Sequence, residues 1–123
     1  ATPGGKLREK YNEATYNDGF QTFRRIYAEG NDYMGHPVLL TEFGGIMFEK
    51  DQFNGNWGYN SAAKSDEEFF DRLKALVCGI YEADFQGFCY TQLTDVQQEV
   101  NGLLDAEHNP KVDVSKIREI FER

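Results

Sequence analysis

Three carboxylates stand where apolar, strand-like stretches give way to polar loops. Glu42 follows the run Val38-Leu39-Leu40 within His36-Pro37-Val38-Leu39-Leu40-Thr41-Glu42-Phe43-Gly44-Gly45. Asp95 and Glu99 follow Gln86-Gly87-Phe88-Cys89-Tyr90-Thr91-Gln92-Leu93. Paired carboxylates are the machinery of glycoside hydrolysis. One attacks or steadies an oxocarbenium-like centre while a protonated partner delivers a proton to the departing oxygen, and a retaining enzyme holds the two about 5–5.5 Å apart. A helix-capping or salt-bridged Glu in a turn is the other role open to Glu42. No GxSxG, P-loop or GxGxxG is present, so acyl-transfer and nucleotide chemistries lack motif support. Neither CxxC nor HExxH occurs, and the two histidines are far apart, so neither a metal site nor a cofactor is expected.

Positioning these acids requires two strands. A short continuous apolar run such as Val38–Leu40 fits a strand buried on both faces of a parallel sheet, with Pro37 tolerated at its start and the two glycines ending it. Ser65-Asp66-Glu67-Glu68 is a capping box, and Phe69, Leu73, Leu76, Val77 and Ile80 then form one helical stripe. Strand, long loop, helix and strand in this order make a βαβ unit with parallel strands, whose C-terminal ends share one edge. Glu42 and Asp95 should therefore lie at the same end, where parallel α/β folds carry their chemistry.

Further elements flank this unit. Leu7 and Tyr11 suit a short helical turn. Asn17 or Asp18 can cap a helix with Phe20, Phe23, Ile26 and Tyr27 on one face, closed by Gly30. Residues 43–64 form a long Gly/Asn-rich loop carrying Phe53, Trp57 and Tyr59, and loops of that length are usually functional or disordered. Asp113 caps a final helix with Val114, Ile117, Ile120 and Phe121 inward.

Composition narrows the function classes. A chain of 123 residues suits one domain. The net charge of −8 opposes general attraction to nucleic acid or an anionic membrane. No run approaches the ~18 apolar residues of a membrane span, and no signal-peptide pattern opens the chain. That leans towards the cytoplasm; a leader on a longer parent would lie outside this sequence. Ten Phe, seven Tyr and one Trp suit a carbohydrate site and equally a plain core. Cys78 and Cys89 lie in apolar stretches, as buried free thiols or as a disulfide.

HPVLLTEFGGI and GFCYTQLTDVQQEVNGLL together resemble the C-terminal part of the catalytic barrel of family-two glycoside hydrolases, the β-galactosidase and β-glucuronidase group. The resemblance spans about Leu7 to the C-terminus. It implies an α/β fold comprising the last two strands of a (β/α)8 barrel, so that residues 1–123 are the C-terminal piece of a catalytic domain. It also implies that Glu42 is the nucleophile at the end of the seventh strand, and that the eighth strand lines the sugar pocket. Asp95, Gln92, Tyr90 and Trp57 become sugar-contact candidates, with bracing of a loop an equal role for Asp95. Two departures stand out. Many relatives carry a tryptophan in the eighth strand where this chain has Thr91, which leaves Trp57 and Tyr90 as substitutes. The family's acid/base, a Glu in an Asn-Glu pair ending the fourth strand, has no counterpart before residue 42.

A whole barrel takes about 250 residues. The resemblance thus implies a fragment of a retaining β-glycosidase that is inactive alone and whose partners are a β-glycoside and the missing barrel segments or a second copy. The alternative is a non-catalytic α/β module that binds sugar or protein.

Overall fold

The computed structural model describes residues 27–48, 58 and 61–122. Four elements are present among them: β1 (Leu39–Gly44), α1 (Asp66–Glu82), β2 (Gly87–Thr91) and α2 (Val114–Phe121). β1 and β2 pair in parallel as a two-stranded sheet, with α1 in the crossover between them. The described part of the chain is thus a small α/β unit. The expected helical turn at Leu7–Tyr11, most of the helix ending at Gly30, and Phe53, Trp57 and Tyr59 lie outside the described residues.

α1 begins as its capping residues require. Ser65 Oγ accepts the Glu68 amide at 3.2 Å. Glu68 Oε2 accepts the Lys64 amide at 2.9 Å, one residue upstream of the reciprocal bond in the usual capping box. That amide bond, foremost, holds the Glu68 carboxyl below its ordinary pKa. Asp66, Glu67 and Glu68 place negative charge at the positive end of the helix dipole. Phe69, Leu73, Val77 and Ile80 are buried and pack with Phe43, Ile46, Phe48, Ala63 and Val112 into the core, while Leu76 is half-buried at its margin. Each fully buried side chain of this kind contributes about 1.5–3 kcal/mol. Asp113 caps α2 by accepting the Ser115 amide at 2.9 Å. Ile117, Ile120 and Phe121 face the core, and the Tyr81 hydroxyl donates to the Phe121 carbonyl at 2.5 Å, joining the two helices. Val114 is 53% exposed, contrary to its expected inward position. The helix is short, and its packed side begins only with the second turn.

The sheet differs from expectation in three linked ways. β1 starts at Leu39, one residue later than Val38, and ends at Gly44, the first of the two glycines expected to close it. It is covered on one face: Leu39 is 58% exposed, whereas Leu40 and Phe43 pack towards the helices. On β2, Phe88 and Tyr90 face the helices and the intervening Cys89 is exposed. The uncovered face of the sheet therefore carries Leu39, Thr41 and Cys89, while the alternate residues Val38, Leu40, Phe88 and Tyr90 are half-buried. Neither cysteine is in a disulfide; Cys78 is half-buried and Cys89 exposed, and strand alternation puts Cys89 outside, opposite in sense to its two aromatic neighbours.

Candidate functional site

The pairing register explains how Glu42 reaches the surface. Leu40 pairs with Phe88 and Phe43 with Tyr90, so β1 spends three residue steps where β2 spends two. Strict alternation would send Leu40 and Glu42 to the same face. The extra residue lets both Leu40 and Phe43 turn to the helices and leaves Thr41 and Glu42 exposed. A bulge re-aims a side chain in this way, and bulges favour the surroundings of active sites. The Phe43 ring is fixed edge-on against Phe88 and Tyr90, at centroid distances of 5.5 and 5.4 Å.

Glu42, Phe43, Gly44, Gly45 and Thr91 line an open recess of about 280 Å³ at the C-terminal edge of the sheet. Gly44 and Gly45 have φ of +107° and +67°, which glycine adopts without steric cost. Gly44 is also tightly enclosed: a Cβ there would come within 2.9 Å of three Tyr90 ring atoms. The Gly45 amide donates to the Thr91 carbonyl at 2.8 Å, extending the strand pairing into the recess wall. Glu42 makes no hydrogen bond or ion pair with any described residue. Neither the capping nor the salt-bridged role describes it there. Its carboxylate is exposed and available to a ligand.

Behind the recess, Ile46, Met47 and Phe48 are buried. The Phe48 amide donates to the Val100 carbonyl at 3.1 Å, and the Ala63 amide to the Met47 carbonyl at 2.8 Å. The segment after β1 is thereby fixed to the loop after β2. That loop is organised by Asp95. Lys111 Nζ donates to both Asp95 carboxylate oxygens at 2.9 and 3.0 Å, and Asp95 Oδ1 also accepts the Gly102 amide at 2.7 Å. The Asp95 and Lys111 side chains are 10% and 8% exposed. Of the two roles open to Asp95, this geometry is that of a brace.

Tyr90 and Gln92 are enclosed rather than presented. The Tyr90 ring lies behind Gly44, edge-on to Phe43 and Phe121. Burial pushes its hydroxyl up to about 12, against a smaller downward pull from the Ile46 backbone amide. Neither the Tyr90 hydroxyl nor Gln92 Nε2 has a partner of full hydrogen-bond geometry among the described residues. Gln92 does fix the loop through its carbonyl, which accepts the Leu103 amide at 3.2 Å. Glu99 accepts from Asn101 Nδ2 at 3.1 Å beside a tight turn closed by mutual Val96–Glu99 backbone bonds. Trp57 lies outside the described residues. Among those residues no group of three His, Cys, Asp or Glu side chains could hold a metal ion. No helix among them is long and apolar enough to cross a membrane.

Lys111 escaped the sequence reading. It is sixteen residues from Asp95 in an irregular segment, and no periodicity marks it. The bulge escaped for a related reason, since register is a property of two strands and not of one. No family model matches the chain, and no curated protein matches it.

Proposed function

We propose that the chain is the C-terminal part of a (β/α)8 barrel in a retaining β-glycosidase, with Glu42 as its nucleophile. The observation that carries this reading is an exposed carboxylate, unpaired among the described residues, set by a bulge at an open recess at the C-terminal edge of two parallel strands. Its likeness in sequence to family-two glycoside hydrolases supports the same assignment. β1 and β2 are then the seventh and eighth barrel strands.

The Glu42 carboxylate attacks the anomeric carbon, the aglycone leaves with a proton from an acid on another strand, and a glycosyl ester forms. Water then releases the sugar as that acid acts as base. Within the described residues the sugar meets Glu42, Gly44, Gly45 and Thr91, with Tyr90 supporting the wall from behind. Thr91 is too small to stack beneath a sugar ring, so that platform comes from elsewhere in the barrel. On this reading the acid belongs to an Asn-Glu pair roughly 100 residues upstream, since each βα unit runs about 30 residues.

The deciding experiment uses the protein extended to a whole barrel and an activated 2-deoxy-2-fluoro β-glycoside. The expected result is a fluoroglycosyl ester on the peptide containing Glu42. Turnover with the label on another carboxylate would overturn the assignment. Sugar binding with neither turnover nor label would favour the non-catalytic module.

A further inference from the structure

We propose that Asp95 and Lys111 are positioning residues for the Glu42 recess, acting through Val100 and Phe48. An ammonium has three N–H donors, and that of Lys111 meets three acceptors: Asp95 Oδ1, Asp95 Oδ2 and, at 3.1 Å, the Val100 carbonyl. That carbonyl is the one that accepts the Phe48 amide. One buried cation therefore fixes the loop after β2 and, through a shared oxygen, the segment that leaves the recess after Gly45. The Asp95 side reinforces the arrangement, because its Oδ1 also holds the Gly102 amide. Gly102 has no room for a side chain: a Cβ would lie 2.4–2.5 Å from backbone atoms of Asp95, Leu104 and Thr94. The loop is thus packed backbone on backbone around the ion pair. Val100 has little freedom to follow Phe48, so Phe48 is held where Val100 is.

The consequence is mechanical. Gly45 is tied to Thr91 and Phe48 to Val100, so both ends of the short segment bounding the recess are anchored on the β2 side. Removing the cation releases the Val100 anchor and frees the wall beside Glu42 to move. The importance of this for catalysis rests on the glycosidase reading above; the coupling between Lys111 and the recess does not.

Amide hydrogen exchange and backbone NMR on the 123-residue chain test the coupling. Lys111→Met removes the cation, and Asp95→Asn with Lys111→Met removes both charges, so that no unpaired buried carboxylate remains to unfold the chain. In whichever variant folds, the Phe48 amide should exchange roughly tenfold faster relative to Leu73 in α1, a ratio in keeping with the loss of one hydrogen bond. The Glu42 and Gly44 amide resonances should shift while those of Leu73 and Val77 stay. A purely structural brace would speed exchange at Phe48 and Leu73 in proportion, or leave Glu42 and Gly44 unmoved, and either result overturns the proposal. Failure to trap a sugar on Glu42 would bear on the glycosidase reading alone.

Discussion

Phe43, not Glu42, stands opposite Tyr90 in the parallel sheet, with the two rings edge-to-face at 5.4 Å. This pairing decides where the acid goes. The aromatic cluster of Phe43, Phe88, Tyr90 and Phe121 draws Phe43 into the helical layer, and the single extra residue of β1 takes up the register difference. Edge-to-face aromatic pairs are worth about 0.5–1.5 kcal/mol each beyond the area they bury. Glu42 is left outside the core, without a partner among the described residues, at a recess it lines together with Phe43, Gly44, Gly45 and Thr91.

If Glu42 is the nucleophile, Glu42→Gln in the barrel-bearing protein abolishes turnover and leaves sugar affinity largely intact, because the amide keeps the shape but cannot attack. Azide should restore cleavage of activated aryl glycosides by Glu42→Gly, forming the glycosyl azide. Steady-state kinetics on both variants checks this. Near-normal turnover by Glu42→Gln removes Glu42 from the mechanism.

Gly44→Ala should destabilise the chain by at least about 2 kcal/mol, combining strain at positive φ with overpacking. The Cβ would lie 2.4 Å from Tyr90 Cε2, and the ring cannot retreat because Phe43 and Phe121 flank it. Urea unfolding of variant and parent chain measures the difference. A loss under 0.5 kcal/mol, an allowance typical of unconstrained surface sites, would mean that Tyr90 is not fixed behind Gly44.

Local signals made part of this fold legible. Ser65 and Glu68 announce the start of α1, the spacing of Phe69, Leu73, Val77 and Ile80 gives its buried side, and Asp113 marks the start of α2. Chain order alone then required β1 and β2 to be parallel, as they are. What stayed hidden depends on two segments at once. The apolar run at Val38–Leu40 reads as doubly buried, but burial of the second face needs a covering layer, and Leu39 has none among the described residues. Tyr90 reads as a pocket aromatic until the register turns it to the helices. Asp95 reads as sugar contact or brace, and only Lys111, folded back from the far side of the loop, separates the two roles.

Tyr90→Phe should change stability by less than about 1 kcal/mol at neutral pH, because the hydroxyl it removes is buried without a full hydrogen bond. The effect should appear in alkali. The folded-state pKa is raised to about 12 by burial, against about 10 in an unfolded chain. The unfolded state therefore loses its proton first as pH rises. Tyr90 contributes full stability below about pH 10, and that contribution falls away between about 10 and 12 by an amount on the order of 2 kcal/mol. Urea midpoints measured across this range should fall more steeply for the parent chain than for Tyr90→Phe. Parallel curves would mean that the hydroxyl is solvated.

On the barrel reading, the isolated chain should associate. A two-stranded parallel sheet has two unpaired edges, and such sheets normally carry layers on both faces. Here Leu39, Thr41 and Cys89 are exposed on β1 and β2 while the helices cover the side of Leu40, Phe43, Phe88 and Tyr90. A second copy, packed face to face or exchanging a segment, would bury that surface. The net charge of −8 opposes association, so added salt should strengthen it by screening. Sedimentation at several concentrations should show an average mass that rises with concentration and with salt. Leu39→Lys should lower it, since a lysine on a strand is a standard obstacle to pairing. Its effect on stability should stay within about 0.5 kcal/mol because Leu39 is already exposed. Cys89→Ser should leave association intact, which separates packing from an intermolecular disulfide. A monodisperse monomer at high concentration, binding no apolar dye, would mean that the chain closes its own core and is not a piece cut from a barrel.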